Sequence, residues 1–293
     1  MYNKTMSENS LPSNPAGSSA GLADIGVNLM NSAFDRDRME VIAAALTAGV
    51  KTLVITGSSL ESSAEAAAFV RANARSLAEM QADCRTTAGV HPHNAKGWDA
   101  AMRARLRELI EQDAASQTIA AVGECGLDYN RNFSPPPAQR KCFEEQLALA
   151  ATLHKPVFLH ERDAFNDFFS ILKEHRPGLP GAVVHCFTGA AAELEAYLSL
   201  DCHIGITGWI CDERRGSHLV PLLRHIPAGR LLLETDAPYL LPRSLPRAAR
   251  GKSGRNEPRF LSHIAAFAAE VLGKTKEQLA EETFTNAARF FGI

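Results

Sequence analysis

The chain has 293 residues, with 31 Lys and Arg against 33 Asp and Glu, and 45% of its residues are apolar. This composition is typical of a globular protein and excludes disordered, collagen-like and disulfide-dense chains. The formal net charge of -2 argues against a protein that coats nucleic acid over its whole surface, so any site for a polyanion must be local.

Residues 1–22 are rich in Ser, Asn, Gly and Pro, a composition that predicts a flexible tail outside the folded domain. From residue 23 to residue 293, short apolar runs alternate with longer stretches that carry apolar residues at helical spacing. The runs predict eight strands, each buried on both faces, at 23–27, 52–56, 86–90, 119–123, 157–160, 182–185, 203–206 and 230–234. Helices are predicted between them at 35–48, 62–77, 100–113, 138–153, 164–174 and 191–200, with the prolines at 135–137 marking a helix start.

Eight strands that alternate with helices predict a parallel sheet, either open and doubly wound or closed into a (β/α)8 barrel. The number of repeats favours the barrel, and no GxGxxG turn or GxxxxGK[ST] loop follows a strand, as open-sheet nucleotide sites require. We therefore predict an α/β fold with a single TIM-type barrel over residues 23–293.

The six cysteines form no CxxC pair, no apolar run reaches the roughly 18 residues of a membrane span, and no signal-peptide pattern opens the chain. These features predict a cytoplasmic protein with reduced thiols and no membrane association. No heptad pattern or long apolar stripe calls for an oligomer, so we expect a monomer.

Polar residues follow five of the predicted strands, at the rim where barrel enzymes place their chemistry. Four of the ten histidines of the chain lie there, although a single such histidine is usually a hydrogen-bonded structural group. Imidazole and carboxylate together are the ligands of divalent metal ions in hydrolases, and no helical HExxH motif points to another kind of zinc site. The rim residues are His91, His93, Glu124, Asp128, His160, Glu161, Arg162, Asp163, His185, Glu234 and Asp236.

A basic segment follows the last predicted strand at residues 243–259, where Glu257 is the only acid. Such a run is either a solvated face or, at this rim, a set of phosphate contacts. Its cations are Arg243, Arg247, Arg250, Lys252, Arg255 and Arg259, and the patch extends to Arg131, Arg162, Arg214 and Arg215 at other strand ends. Nearby aromatic residues are either packed rim residues or stacking surfaces for bases, namely Phe133, Phe187, Trp209 and Tyr239.

These motifs resemble the TatD family of metal-dependent deoxyribonucleases over residues 23–293. The resemblance rests on DIGVNL, GVHPH, GECGLD, PVFLHERD, HCFTG, IGITG, ETDAPYL and RNEP, and DIGVNL and GWICDERRG are similar to the TatD subgroup of 3′-5′ exonucleases. The resemblance implies a (β/α)8 barrel, hydrolysis of phosphodiester bonds in single-stranded DNA and RNA, and a role in repair of oxidative damage. It also implies one or two divalent ions, with Mg²⁺ expected and Mn²⁺ or Zn²⁺ as alternatives.

By the same resemblance, Glu124, His160, His185 and Asp236 are metal ligands, and Glu124 and Asp236 are the catalytic carboxylates. His91, His93, Arg162, Arg243 and Arg255 are expected to bind substrate. One departure concerns strand one, where most family members have a His-x-His pair and this chain has Gly26, Val27 and Asn28. The departure puts the first metal position in question.

Two other functions remain open at this point. A small-molecule metal hydrolase for amides, lactones or esters would use the same barrel, and the basic segment discriminates it from a nuclease. In such a hydrolase, neutralising Arg243, Arg247 and Arg255 would change neither substrate affinity nor its salt dependence. A non-catalytic nucleic-acid binder would have lost its metal together with the histidine pair on strand one, but it would have no need of so many polar groups at one point.

Overall fold

The computed structural model describes residues 21–250 and 254–293. Its eight strands are parallel and lie in chain order, β1 to β8, in one sheet. Every predicted strand is present, with ends shifted by a few residues. The strands are β1 Leu22–Val27, β2 Val50–Ile55, β3 Asp83–Ala88, β4 Ile119–Asp128, β5 Val157–Arg162, β6 Ala182–Val184, β7 His203–Ile206 and β8 Leu231–Leu233.

Helices follow the strands and cover the outside of the sheet. The stretch predicted as one helix at 62–77 is two helices, which meet at Asn73. Pro135 caps α5 and Pro136 begins it, as predicted, because proline suits the first turn. The helices are α1 Arg38–Thr47, α2 Leu60–Ala72, α3 Ala74–Glu79, α4 Ala100–Gln112, α5 Pro136–Thr152, α6 Phe165–His175, α7 Ala191–Ser199, α8 Leu219–Leu223, α9 Leu261–Leu272 and α10 Lys276–Phe291.

The sheet closes where the segment after β8 meets β1. The amide of Asp236 donates to the carbonyl of Gly26 at 2.8 Å, and the amide of Asn28 donates to the carbonyl of Ala237 at 2.8 Å. Val27 and Ala237 form a parallel bridge between them. The predicted (β/α)8 barrel is therefore confirmed, and all strand ends that carry polar residues lie at one rim.

Side chains fill the interior of the barrel, so its chemistry is confined to the rim. Ile25, Phe158 and Leu232 are fully buried inside, and Phe290 and Phe291 of α10 pack against this interior cluster. A second and larger apolar layer lies between the strands and the surrounding helices. Within the described residues, no helix is both long enough and apolar enough to span a membrane.

The predicted tail falls largely outside the described residues, since it covers 1–22 and the description begins at 21. Leu22 belongs to β1 and is buried, with 3% of its surface exposed. The folded domain therefore starts at the end of the segment predicted as tail.

Candidate metal centre and active site

Glu124 lies at the centre of the polar rim. It belongs to β4, whose residues are all buried, and only 7% of its surface is exposed. Three imidazoles surround its Oε1 atom: Nε2 of His185 lies at 2.8 Å, Nδ1 of His160 at 2.9 Å and Nε2 of His91 at 3.4 Å. The structure thus brings residues from β3 to β6 to a single carboxylate oxygen.

This crowding shifts the pKa values of the groups involved. Burial by itself raises the pKa of Glu124, but its electrostatic interactions with the surrounding imidazoles and the hydrogen bonds of His160 and His185 hold it well below its usual range. Burial lowers the pKa of His185, yet the charges of Glu124 and Glu234 raise it well above the ordinary value. Burial lowers the pKa of His160, yet the neighbouring carboxylates of Asp128 and Glu124 outweigh burial and raise it above its ordinary value. A strong negative potential therefore exists where the histidines meet.

The residues of this cluster fit a divalent metal ion. One ligand atom each from His91, Glu124 and His160 lies within 4.8 Å of the others. Nε2 of His160 and Nδ1 of His185 are buried ring nitrogens with no hydrogen-bond partner among the described residues. These two nitrogens face Asp128 and Glu234, and the opposite nitrogens of the same rings meet at Glu124. Imidazole nitrogens around a carboxylate oxygen are ligands of divalent ions, so this donor set suits a cation.

His91 has the hydrogen-bonding pattern of a donor toward the cluster. Its Nδ1 accepts the backbone amide of His93 at 3.1 Å, which in a neutral ring leaves the proton on Nε2. Burial lowers the pKa of His91 to about 3, so the ring is neutral at physiological pH. Nε2–H therefore faces Glu124 and is suited to an anionic oxygen.

Asp236 follows β8 and completes the cluster from the opposite side of the barrel. Its Oδ1 accepts a hydrogen bond from Nδ2 of Asn28 at 2.8 Å. Its φ of 54° lies in the left-handed region, which non-glycine residues rarely adopt. Burial raises the pKa of its carboxyl to about 7, and the charge of Glu124 adds to this effect. The contact with Asn28 fixes the orientation of the carboxylate.

Asp128 is a residue of the polar cluster that the sequence analysis placed at the rim without assigning it a role. Its Oδ2 lies 2.7 Å from Nε2 of His93 and 3.8 Å from Nε2 of His160, and its Oδ1 accepts the amides of Asn130 and Arg131. A signal was available in the motif GECGLD, because residues four apart on a strand lie on the same face. Asp128 thereby links His93, a predicted substrate contact, to the cluster.

The cluster opens into two adjoining cavities of about 560 and 630 Å³. Both are lined by His160, Arg162, His185, Cys186 and Asp236. The smaller cavity also contains Glu124, Asp128, His91 and His93, whereas the larger one extends toward Trp209 and His218. Together they form a continuous cleft across the rim, with the polar cluster in its middle.

Comparison with known proteins identifies the family. The model of the family described as TatD related DNase matches residues 23–292. The chain belongs to this family. It is 50% identical over 271 residues to the 3′-5′ ssDNA/RNA exonuclease TatD of Rahnella sp. (strain Y9602), which covers 92% of this chain and 98% of that protein. It is 48% identical over 270 residues to the protein of the same name from Escherichia coli (strain K12), again over 92% and 98%.

Solved structures agree with the TatD assignment. The crystal structure of YJJV, a TatD homologue from Escherichia coli K12, has a TM-score of 0.80 and 26% identity, and covers 94% of this chain and 100% of that one. The structure of a TatD family hydrolase from Entamoeba histolytica has a TM-score of 0.81 at 24% identity, with 94% and 99% coverage, and supports the fold. The α/β barrel is thus shared with TatD-family proteins over nearly the whole chain.

The structure leaves no room for a side chain at Gly26, the strand-one position where the sequence analysis noted a departure. A Cβ atom at Gly26 would lie 2.3 Å from Oε2 of Glu234, and one at Gly205 would lie 2.6 Å from Oε1. Glu234 is fully buried, accepts the amide of Cys186 at 2.5 Å and lies 3.4 Å from Nδ1 of His185. The Glu234 carboxylate therefore occupies the space that a side chain at residue 26 would need.

The structure divides the arginines predicted to bind substrate. Among the described residues that line the two cavities, the arginines are Arg131, Arg162 and Arg215. Arg243 instead lies 3.5 Å from Asp212 and 3.7 Å from Glu213. The predicted basic patch is therefore only partly assembled at the cleft.

Arg255 is likewise held away from the cleft. Its guanidinium donates to Asp37 at 2.7 and 2.9 Å and to Glu257 at 3.0 Å, and it lies 4.6 Å from the ring centroid of Phe34. These contacts join the loop after β8 to the loop after β1. The structure does not bring Arg255 to the cleft, because two carboxylates hold it elsewhere.

Proposed function

We propose that this chain is a metal-dependent 3′-5′ exonuclease that hydrolyses phosphodiester bonds in single-stranded DNA and RNA. The observation that carries the proposal is the convergence of three histidines on one buried carboxylate oxygen of Glu124, in the middle of a cleft. The names of the Rahnella and Escherichia coli relatives, about half identical to this chain, support the substrate and the direction of cleavage.

Glu124, His160, His185 and Asp236 would hold the metal, with Mg²⁺ expected and Mn²⁺ or Zn²⁺ as alternatives. When bound, a divalent ion supplies Lewis-acid polarisation of the scissile phosphodiester. The side chains themselves determine where the phosphate lies, because Glu124 is buried at the floor and the cleft is open above it. The ring of Phe158 lies under His185 with centroids 4.6 Å apart and limits movement of that imidazole.

Asp236 is the residue that would take the proton of the attacking water. Asn28 holds Oδ1 of this carboxylate at 2.8 Å, which leaves Oδ2 to accept the proton. The Asn28 side chain therefore has a positioning role at a place where most family members have a histidine. This role offers a reason why loss of the histidine pair is compatible with catalysis.

His91 and two arginines would bind the phosphates of the strand. Nε2–H of His91 faces the cluster and is suited to donate to an oxygen of the scissile phosphate. Arg131 and Arg162 line the same cavity, and in the part of the chain that the structure describes neither guanidinium pairs with a carboxylate. Guanidinium groups of this kind bind phosphate oxygens in pairs of hydrogen bonds.

The test is cleavage of a single-stranded DNA oligonucleotide labelled at its 5′ end, with Mg²⁺, Mn²⁺, Zn²⁺ or a chelator. The unaltered protein is expected to give a ladder that shortens stepwise, and the chelator is expected to abolish it. Internal fragments from the first time point would indicate an endonuclease. No cleavage with any metal, together with hydrolysis of small amides or esters, would favour the small-molecule hydrolase instead.

Three further properties belong to the proposal: a role in DNA repair, a cytoplasmic location and a monomeric state. The resemblance to the family implies a role in repair of oxidatively damaged DNA, and the sequence predicts a cytoplasmic monomer. Light scattering on the purified protein should return the mass of one chain. A stable dimer would contradict the proposed monomer without affecting the exonuclease assignment.

A further inference from the structure

Two large hydrophobic side chains are exposed among the described residues, and both line the cavity that contains Glu124. Phe133 is 58% exposed and Tyr239 is 53% exposed. Exposed aromatic rings lose the stabilisation that burial would give them, so folding does not explain their position. Their location beside the catalytic cluster instead indicates a binding surface.

The two rings lie across the cavity from one another. Phe133 belongs to the loop between β4 and α5, and Tyr239 follows β8, and in an eight-stranded barrel β4 and β8 lie on opposite sides, with three strands between them in each direction. Both rings are held in place: Phe133 meets the ring of His93 edge to face with centroids 4.7 Å apart, and the hydroxyl of Tyr239 accepts a hydrogen bond from Asn31 at 3.0 Å. The rings are therefore preorganised on two walls of one cleft.

The other aromatic residues of the rim do not share this arrangement. Phe187 is 4% exposed and packs against Tyr197. Trp209 donates its indole N–H to the carbonyl of Arg215, and the guanidinium of the same arginine lies 5.7 Å from its ring. Of the four aromatic candidates from the sequence, only Phe133 and Tyr239 present largely open rings to the cleft.

We propose that Phe133 and Tyr239 form an aromatic clamp that stacks unpaired bases of the strand while the scissile phosphate lies at Glu124. The proposal rests on the exonuclease function above and names the feature of the substrate that the site selects. Every base has a π-face, so stacking binds a strand without regard to its sequence, and it does not read the 2′-hydroxyl. An internal base of a duplex has both faces covered by its neighbours, so the clamp favours unpaired strands.

The charges beside the rings fit the same ligand. Arg131 lies two residues before Phe133, and Arg162 lines the same cavity. Cations that contact the backbone together with rings that stack the bases are the usual combination in proteins that bind single strands. The clamp thus explains how one cleft accepts both DNA and RNA.

The test compares two oligonucleotides that differ only in their bases. One is an intact single strand, and the other carries abasic residues at its 3′ end. Hydrolysis of each strand is measured with metal present. Equilibrium binding is measured separately in a chelator, so that strand binding is observed without cleavage. The variants are Phe133→Leu and Tyr239→Leu, which remove a ring but keep an apolar side chain, with Phe133→Trp and Tyr239→Phe as matched controls that keep a ring.

The clamp predicts that the unaltered protein prefers the intact strand over the abasic strand by about tenfold or more, as expected from one lost stacking contact. Each leucine variant removes one of the two stacking contacts, so it should lower kcat/KM and affinity for the intact strand toward the abasic level and leave kcat/KM and affinity for the abasic strand unchanged. The tryptophan and phenylalanine variants should retain the preference. If the rings had a purely structural role, the leucine variants would lower kcat/KM and affinity equally for the intact and the abasic strand.

The outcomes separate this proposal from the proposed function. Hydrolysis of both strands at equal rates by the unaltered protein would overturn the clamp and leave the exonuclease in place. Base-dependent binding without cleavage under any metal would support the clamp and overturn the exonuclease. Leucine variants that keep the full preference for the intact strand would also overturn the clamp.

Discussion

Replacement of Gly26 by alanine should damage the metal centre although residue 26 carries no ligand. The added Cβ would lie 2.3 Å from Oε2 of Glu234 and 3.2 Å from the ring of Phe158, and contacts below 3.0 Å are essentially never found. Glu234 has little room to move, because Gly205 lies against its other oxygen and the amide of Cys186 is bonded to it. The Glu234 carboxylate must therefore move, which is expected to disturb its contact with His185.

The expected cost follows from overpacking and from the loss of a partner to a metal ligand. Overpacking a well-packed interior destabilises a protein by about 1–3 kcal/mol, which lowers the Tm of a domain of this size by several degrees. Loss of a carboxylate behind a ligating histidine lowers metal affinity by roughly 10–100-fold. We expect Gly26→Ala to show both effects in thermal unfolding and in titration with Mn²⁺.

Gly229→Ala is the matched control, because a Cβ atom there meets nothing within 4 Å. It should change neither Tm nor metal affinity. Glu234→Asp shortens the side chain that the new Cβ would meet. The double variant Gly26→Ala, Glu234→Asp should therefore lose less stability than the sum of the losses of the two single variants. If Gly26→Ala is as stable as the unaltered protein and binds Mn²⁺ equally well, the steric argument is wrong. Tighter metal binding by Gly26→His would refute it as well.

Three other expectations concern residues around the site. Arg162→Gln and Arg131→Gln should each reduce the salt dependence of single-strand binding by about 0.7 in the slope of log affinity against log salt, whereas Arg243→Gln should not; equal slopes would remove these arginines from the phosphate contacts. Arg255→Ala should lower Tm, because it breaks the contacts with Asp37 and Glu257, and should leave strand affinity unchanged; loss of affinity at unchanged Tm would restore Arg255 to the substrate site. Burial raises the pKa of Asp24 to about 8, so its proton stabilises the fold fully below the unfolded pKa near 3.8, and this contribution is lost as pH rises through about 8. Thermal scans should show that loss across neutral pH in the unaltered protein and not in Asp24→Asn.

Much of the fold was predictable because its elements follow simple periodicities. Strands buried on both faces are continuous apolar runs, and eight of them with intervening helices leave few topologies. The split between α2 and α3 was not predictable from spacing, because the apolar period continues across Asn73 and the break depends on how that residue ends α2. Leu22 was assigned to the tail because a polar composition surrounds it, although its burial in β1 is a tertiary effect.

The polar cluster was predictable for a related reason. In a parallel barrel every strand ends at the same rim, so His91, Glu124, His160, His185 and Asp236 had to meet if the strands were assigned correctly. The position of the arginines in the basic segment was not predictable, because it depends on partners far away in sequence. Asp37, more than 200 residues before Arg255, holds the Arg255 side chain. The role of Glu234 depended on the space that Gly26 and Gly205 leave, which no motif describes.

The most direct test of the account is the metal content and activity of Glu124→Gln beside the unaltered protein. Glu213→Gln, a change at a largely exposed residue, serves as the control. After dialysis against Mn²⁺ the unaltered protein and the control should retain one or two ions and shorten a 5′-labelled single strand stepwise, whereas Glu124→Gln, folded by circular dichroism, should lose both properties. Equal metal retention and cleavage by Glu124→Gln would contradict the central claim that three histidines and Glu124 build the catalytic centre.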